Sequence, residues 1–327
     1  MPDVAGLSMA VGDVDGDGQL DVLLTSLDSD NVTVVQSPLK NASITQVPAT
    51  SAQTSIVAAD FNGDGFADFA VADGASSMVQ VVLSSAAGFG VATPVAVGHN
   101  PFQIVSADLD LDGKLDLATA NQGDNNVSIL FGGGDGSFQA QHAVPVGMTP
   151  DGLAIFRSGD AATRSDLVVA NFGATNLSMV VETSDGSFAV SNIPAGNHDL
   201  VSVAVGDFNS DSLADVAVVS SKDNSLVVLF ACGDGTFSAG TPIALHAIPT
   251  GIWAADLNND QDPDLVVSSP GEDVLELFLS KGDGTFVSAT PTVGGQTGVA
   301  VADFDGDGWK DLAVSDAHTL SIFLNQQ

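Results

Sequence analysis

The sequence predicts an all-β fold: a seven-bladed β-propeller of four-stranded antiparallel blades whose last blade lacks one strand. Three observations carry this reading. An acidic loop recurs at a near-constant interval, short apolar runs of period two flank the copies, and no amphipathic helical stretch appears anywhere in the 327 residues. Internal periodicity of this length marks a chain built from small units that cannot bury their apolar faces alone.

The acidic loop reads DVDGDGQLD at 13–21, DFNGDGFAD at 60–68, DLDLDGKLD at 108–116, DFNSDSLAD at 207–215, DLNNDQDPD at 256–264 and DFDGDGWKD at 303–311. Successive starts lie 47, 48, 99, 49 and 47 residues apart. The long step holds a degenerate copy near 155–166, which keeps the flanking apolar runs but not the acidic loop. Seven repeats therefore span residues 1–327, read as one domain.

Each repeat has the same order of elements. An apolar run precedes the loop, and a second follows it, as in DLATAN at 116–121. After a polar turn comes an alternating strand such as SLVVLFA at 225–231. A glycine-rich turn ending in Phe follows, GDGSF at 134–138 and GDGTF at 233–237 and 282–286, and then a fourth strand. Lys281-Gly282-Asp283 falls on that turn and is read as part of it. Four short strands joined by tight turns make a small antiparallel sheet. Stacking such sheets radially buries both faces and leaves few edges. The last repeat stops after a third strand at Leu320–Leu324, which leaves an edge suited to self-association.

The chain carries 41 acidic residues against 7 basic ones, a formal charge of −34. That field repels nucleic acid. Disorder would need low hydrophobicity, yet 44% of the residues are apolar. The single cysteine, Cys232, permits no intrachain disulfide, and no apolar run is long enough to span a membrane. No export signal is visible, and one removed on secretion is the expectation.

Placement of the acids points to calcium, about six ions. Carboxylates or amides recur at loop positions 1, 3, 5 and 9, and position 7 offers a backbone carbonyl. The predicted ligands are Asp13, Asp15, Asp17, Gln19 and Asp21; Asp60, Asn62, Asp64, Phe66 and Asp68; and Asp108, Asp110, Asp112, Lys114 and Asp116. The later copies supply Asp207, Asn209, Asp211, Leu213 and Asp215; Asp256, Asn258, Asp260, Asp262 and Asp264; and Asp303, Asp305, Asp307, Trp309 and Asp311. Calcium takes six to eight hard oxygens in flexible geometry, whereas magnesium demands a stricter octahedron. Two carboxylates ~4 Å apart repel by about 4 kcal/mol at a surface-like dielectric, so the cluster calls for a cation. Ser212 and Gln261 replace the glycine of position 6, so weaker binding is expected at 207–215 and 256–264. The degenerate copy should bind none, with Arg157 and Arg164 in place of the ion's charge.

A DxDxDGxxD loop between two strands, followed by a Gly-Asp-Gly-Thr-Phe turn, resembles the FG-GAP or VCBS repeat over essentially the whole chain. It is similar to the propeller of integrin α subunits and to propeller-type lectins. The resemblance implies calcium loops on one face and ligand contacts on the opposite face or between blades. The chain departs from integrins in carrying acidic loops in its first blades and in having no tyrosine.

The resemblance directs attention to the turns away from the acidic loops. There Asn121 and Asn125, with His99, His198 and His246, are candidate ligand contacts, for a sugar or a protein. Asn, Asp, Gly and Ser are also simply good turn residues. Trp253 stands where the other repeats carry small residues and is read as a plug or a sugar-stacking platform. The expected function is an extracellular binding or adhesion module, with lectin-like carbohydrate binding as its finer form. The alternatives are a calcium-dependent polysaccharide-active enzyme and a structural domain of a larger surface protein. No nucleophile elbow, paired-His motif or phosphate loop favours the enzyme.

Overall fold

The computed structural model describes residues 8–26, 29–40, 42–157, 165–196, 198–272, 274–289, 298–316 and 319–325. Its strands fall into seven separate antiparallel sheets, in each of which sequence neighbours pair. The first is Met9–Gly12, Asp21–Leu24, Asn31–Gln36 and Ser43–Pro48. The third is Pro101–Ala107, Asp116–Asn121, Asn126–Leu130 and His142–Pro145. In the fifth the outer strand is broken into Phe237–Ala239 and Ile243–Ala244. The seventh has three strands among the described residues, Gly298–Ala302, Asp311–Ser315 and Leu320–Phe323. These are the blades predicted from the repeat, including the shortened last one.

Contacts divide the chain into two compact units, residues 1–143 with 297–327, and residues 144–296. The first unit holds blades 7, 1, 2 and 3, and the second holds blades 4, 5 and 6. Within each unit, neighbouring blades pack face to face through alternate residues of their second strands. In blade 5, Val216 and Val218 join the core shared with blade 4, while Ala217 and Val219 join the core shared with blade 6. In blade 2, Phe69 and Val71 face blade 1, and Ala70 and Ala72 face blade 3. Successive side chains of a strand point to opposite faces. A strand clamped between two neighbours is therefore buried on both faces and mostly apolar inside, with Thr119 and Ser268 the buried polar exceptions in blades 3 and 6. The second strands of blades 2 to 6 are buried from end to end. Fourth strands lie at the outside, and that of blade 2 is exposed or half-buried throughout.

The glycine-rich turns staple adjacent blades. Gly136 donates its N–H to the Phe61 carbonyl at 3.1 Å, and Gly284 donates to the Phe208 carbonyl at 3.0 Å. The turn phenylalanines follow, with Phe138 edge-on to Phe61 at 5.5 Å between ring centres and Phe286 tilted against Phe208 at 5.9 Å. The turn aspartates, Asp283 among them, accept both the N–H and the Oγ–H of the Ser or Thr two residues on. The Lys281-Gly282-Asp283 sequence is therefore committed to the turn.

Candidate metal centre

Each acidic loop joins the first and second strands of its blade, and the aspartate at position 1 folds it. In the first loop Gly16 and Asp17 donate their N–H groups to Asp13 Oδ1 at 2.8 and 3.1 Å, and Gly18 donates to Oδ2 at 2.9 Å. Asp15 and Asp17 accept from the backbone two residues on. The remaining loops repeat the pattern, with position 6 donating to position 1 at 2.8–3.0 Å. Such curling needs a left-handed backbone at positions 4 and 6. Gly16 and Gly18 supply it at φ 76° and 82°, but Ser210, Ser212, Asn259 and Gln261 adopt it as well. Position 4 of the third loop is Leu111 at φ 63°. A side chain in that region costs about 1–2 kcal/mol, so these loops are held closed against strain.

The folded loops bring hard oxygens together. Asp13, Asp15 and Asp17 place carboxylate oxygens within 4.8 Å of one another, as do Asp108, Asp110 and Asp116, and Asp303, Asp305 and Asp311. These are the loops with Asp at positions 1, 3, 5 and 9. The other three carry Asn62, Asn209 or Asn258 at position 3. A set of carboxylate and carbonyl oxygens without nitrogen or sulfur suits a hard divalent cation. The third loop shows the demand for positive charge directly, since Lys114 bends back to place Nζ 2.7 Å from Asp112 Oδ2. That contact holds the Asp112 carboxyl below its usual range. The six residues predicted at position 7, Gln19, Phe66, Lys114, Leu213, Asp262 and Trp309, all lie in bent backbone within their loops.

Position 9 has a second role that sequence reasoning missed. Asp21 starts the second strand and has no exposed surface. Its Oδ2 accepts the Val14 N–H at 2.9 Å, and its Oδ1 accepts the Ser37 N–H, beyond the third strand, at 2.8 Å. The same clasp recurs at Asp68 with Phe61 and Ser84, Asp116 with Leu109 and Gly132, and Asp215 with Phe208 and Ala231. It recurs again at Asp264 with Leu257 and Ser280, and at Asp311 with Phe304 and Asn325. Each clasp ties the acidic loop to the far end of the third strand. In five of the six the second donor lies 16 residues on, yet those donors are Ser, Gly and Ala. A backbone donor needs no particular side chain, so no motif betrays it.

Burial pushes Asp21, Asp68, Asp116 and Asp215 up to about 6, against the pull of the two backbone N–H groups on each. A carboxyl whose folded value exceeds its unfolded one binds extra protons in the native state between the two values, so stability falls as pH rises through that window. Cation-free protein should therefore melt at a higher temperature at pH 5 than at pH 7.5. Thermal melts in chelator at the two pH values check this, and a higher melt at pH 7.5 would contradict it.

Blade 4 lacks the position-1 aspartate of the other blades. Arg157 follows directly on the first strand, Pro150–Phe156, at the place of the position-1 aspartate, and is exposed. Asp166 keeps the position-9 place and is buried, 1% exposed. Asp160 and Arg164 lie outside the described residues.

At the opposite strand ends the candidate ligand contacts divide. Asn121, counted among them from sequence, has no exposed surface. Its Nδ2 donates to Asn126 Oδ1 at 2.7 Å and to Ser128 Oγ at 2.8 Å, so it fastens the turn and offers nothing to a ligand. Asn125 is exposed, with φ 53°. His99 places Nδ1 3.0 Å from both oxygens of Asp124, and its N–H also donates to that carboxylate. The His198 N–H donates to Asp223 in the same way. His246 pairs through Nδ1 with Glu276 Oε2 at 2.7 Å; the Glu276 side chain is 1% exposed, the His246 ring 63%. Trp253 is half-buried on the first strand of blade 6, and its ring lies across Gly251, where a Cβ would stand 2.3 Å from it.

Seven small antiparallel sheets, three of whose acidic loops form clusters compatible with a divalent cation, define an all-β protein of the seven-bladed β-propeller class. The pattern of the FG-GAP-like repeat matches residues 13–71, 60–119, 208–267 and 256–314. The chain therefore belongs to the FG-GAP-like repeat family. No curated protein sequence matches it. Among solved structures it is similar to BBS1N in complex with ARL6DN, at 13% identity and a TM-score of 0.71, covering 99% of this chain and 94% of that one. It is similar to virginiamycin B lyase from Staphylococcus aureus, at 13% identity and TM-score 0.66, covering 99% and 96%. It is also similar to hydrazine synthase of Kuenenia stuttgartiensis, at 14% identity and TM-score 0.65, covering 100% and 97%. At these identities the likeness is one of fold alone.

No helix among the described residues is long and apolar enough to cross a membrane.

Proposed function

We propose that the chain is an extracellular binding module that holds about six calcium ions and presents carbohydrate- or protein-binding turns at the opposite strand ends. The observation that carries this reading is the convergence of carboxylate oxygens within 4.8 Å in three loops, on a scaffold that repeats the same donor order in three more. In this reading the loop carboxylates, the Asn oxygens and the position-7 carbonyls hold the ions. A bound ion neutralises the clustered charge and fixes the loop. Calcium modules of this open, surface-exposed kind bind at about 10⁻⁴–10⁻³ M, a range filled outside cells. Strained Ser212 and Gln261 make loops 207–215 and 256–264 the weaker binders in this reading.

Ligand recognition is assigned to Asn125, His99, His198, His246 and Trp253, whose polar groups and aromatic face suit a sugar ring. The blade symmetry, kept in every acidic loop but one, favours a binding module over an enzyme, which would concentrate its chemistry at one place. Self-association through the third strand of blade 7 is part of the proposal, since Phe323, on the outermost strand of that blade among the described residues, is 41% exposed.

A glycan array probed in calcium and again in chelator tests the ligand assignment. Calcium-dependent binding to one sugar class, lost in Trp253→Ala, is the expected result. A folded, calcium-loaded protein that binds no glycan would move the assignment to a protein ligand.

A further inference from the structure

Resting on the calcium reading above, we propose that Phe66 and Asp262, each at loop position 7, are positioning residues for the preceding blade's loop. Loops 13–21 and 60–68 then bind calcium as a coupled pair, loops 207–215 and 256–264 do likewise, and loops 60–68 and 108–116 are independent.

In the first pair the contact is made by Phe66 and Ala67. The Ala67 N–H donates to the Asp13 carbonyl at 2.8 Å. The Phe66 ring lies against Gly16, where an added Cβ would stand 2.6 Å from Cε1. Gly16 in turn donates its N–H to Asp13 Oδ1 at 2.8 Å. Residues 66–67 of one loop thus brace positions 1 and 4 of its neighbour. When the Phe66 carbonyl is held as a ligand, ring and N–H are held with it, and the first loop loses freedom it would otherwise spend on binding. Such coupling is reciprocal for binding free energies.

The second pair reaches the same arrangement with different chemistry. Position 7 is Asp262, and its Oδ1 accepts the Ser210 Oγ–H, at position 4 of the preceding loop, at 2.7 Å. Two unrelated side-chain pairs, Phe on Gly and Asp on Ser, link the same two loop positions, so the link does not depend on one side-chain chemistry.

Between the second and third loops no link through position 7 is found among the described residues. Lys114, at position 7, turns to its own loop, with Nζ on Asp112 and its stem over Gly134. A Cβ added at Gly63, position 4 of the second loop, would meet nothing within 4 Å. This pair is the internal control.

The test is hydrogen–deuterium exchange of the full chain, read loop by loop across a calcium titration. Asp64→Ala, which disables loop 60–68, should raise the calcium concentration for half-protection of loop 13–21 by about 3–10-fold, a range typical of contacting residues. Loop 108–116 should not move. Phe66→Ala should shift loop 13–21 similarly while its own loop changes less, and Phe66→Leu should restore most of the effect. Lys114→Ala should leave loop 60–68 unchanged. Protection of the buried second strands shows that each variant is folded. If loop 13–21 is calcium-protected but indifferent to both Asp64→Ala and Phe66→Ala, the coupling is wrong and the calcium reading stands. If no loop gains protection from calcium, the calcium reading fails and the coupling with it.

Discussion

Removing calcium with excess chelator is expected to lower the melting temperature by roughly 3–12 °C. At about 1 mM calcium, a site with a Kd of 10⁻⁴–10⁻³ M adds roughly 0.4–1.4 kcal/mol by mass action. Six such sites add roughly 2–8 kcal/mol, spread over an unfolding entropy of about 2.1 cal/mol/K per residue. The effect is large because the apo loops keep like charges together, with three carboxylates inside 4.8 Å in the Asp-only loops. Differential scanning calorimetry in calcium and in chelator measures it, and coincident melts would contradict a six-ion protein. Titration calorimetry adds a stoichiometric arm. Asp108→Ala should remove one ion from the count, whereas Arg157→Ala, at the equivalent place in blade 4, should remove none.

Cutting one clasp should cost more than losing one ion. Asp116 is 1% exposed and accepts the Leu109 and Gly132 N–H groups at 2.7 and 2.8 Å. Asp116→Ala strands two buried donors, each worth about 1–3 kcal/mol of desolvation, so a loss of about 2–6 kcal/mol is expected. This loss should persist in chelator, because the clasp is made by backbone groups and not by the ion. Asp112→Ala, at an exposed ligand position of the same loop, should lower calcium binding yet change stability in chelator by less than about 1 kcal/mol. Asp116→Asn keeps one acceptor and should fall between them. Urea unfolding in chelator separates the three. Equal losses for Asp116→Ala and Asp112→Ala would mean that position 9 serves the ion alone.

The repeat made the blades legible because each was written seven times. Period-two runs mark the third strands, and the uninterrupted apolar runs of DLVVAN at 166–171 or DLVVSS at 264–269 mark strands buried on both faces. The acidic loops were legible for the same reason, down to the lost copy in blade 4. What escaped was work done by backbone. The Asp21 to Ser37 clasp uses an N–H that every residue but proline carries. The left-handed turn at position 4 was hidden where Leu111, Ser210 and Asn259 occupy it. Asn121 misled because a turn-forming amide and a sugar-binding amide are the same group, and only its burial tells them apart.

The clasp also bears on how such a chain assembles during synthesis. From Asp21 to Ser37 the closed segment is short, and closing a short loop is fast and entropically cheap. Every blade that carries a clasp can fasten its own loop and first three strands soon after they leave the ribosome, without waiting for the rest. Its second strand, however, has two oily faces, and the later one stays wet until the next blade is made. Growth of the fold is thus directional, each blade self-fastened but dried by its successor. Blade 7 is dried by the first blade made, since Ala300, Phe304 and Ala313 share a buried core with Val22 and Leu24.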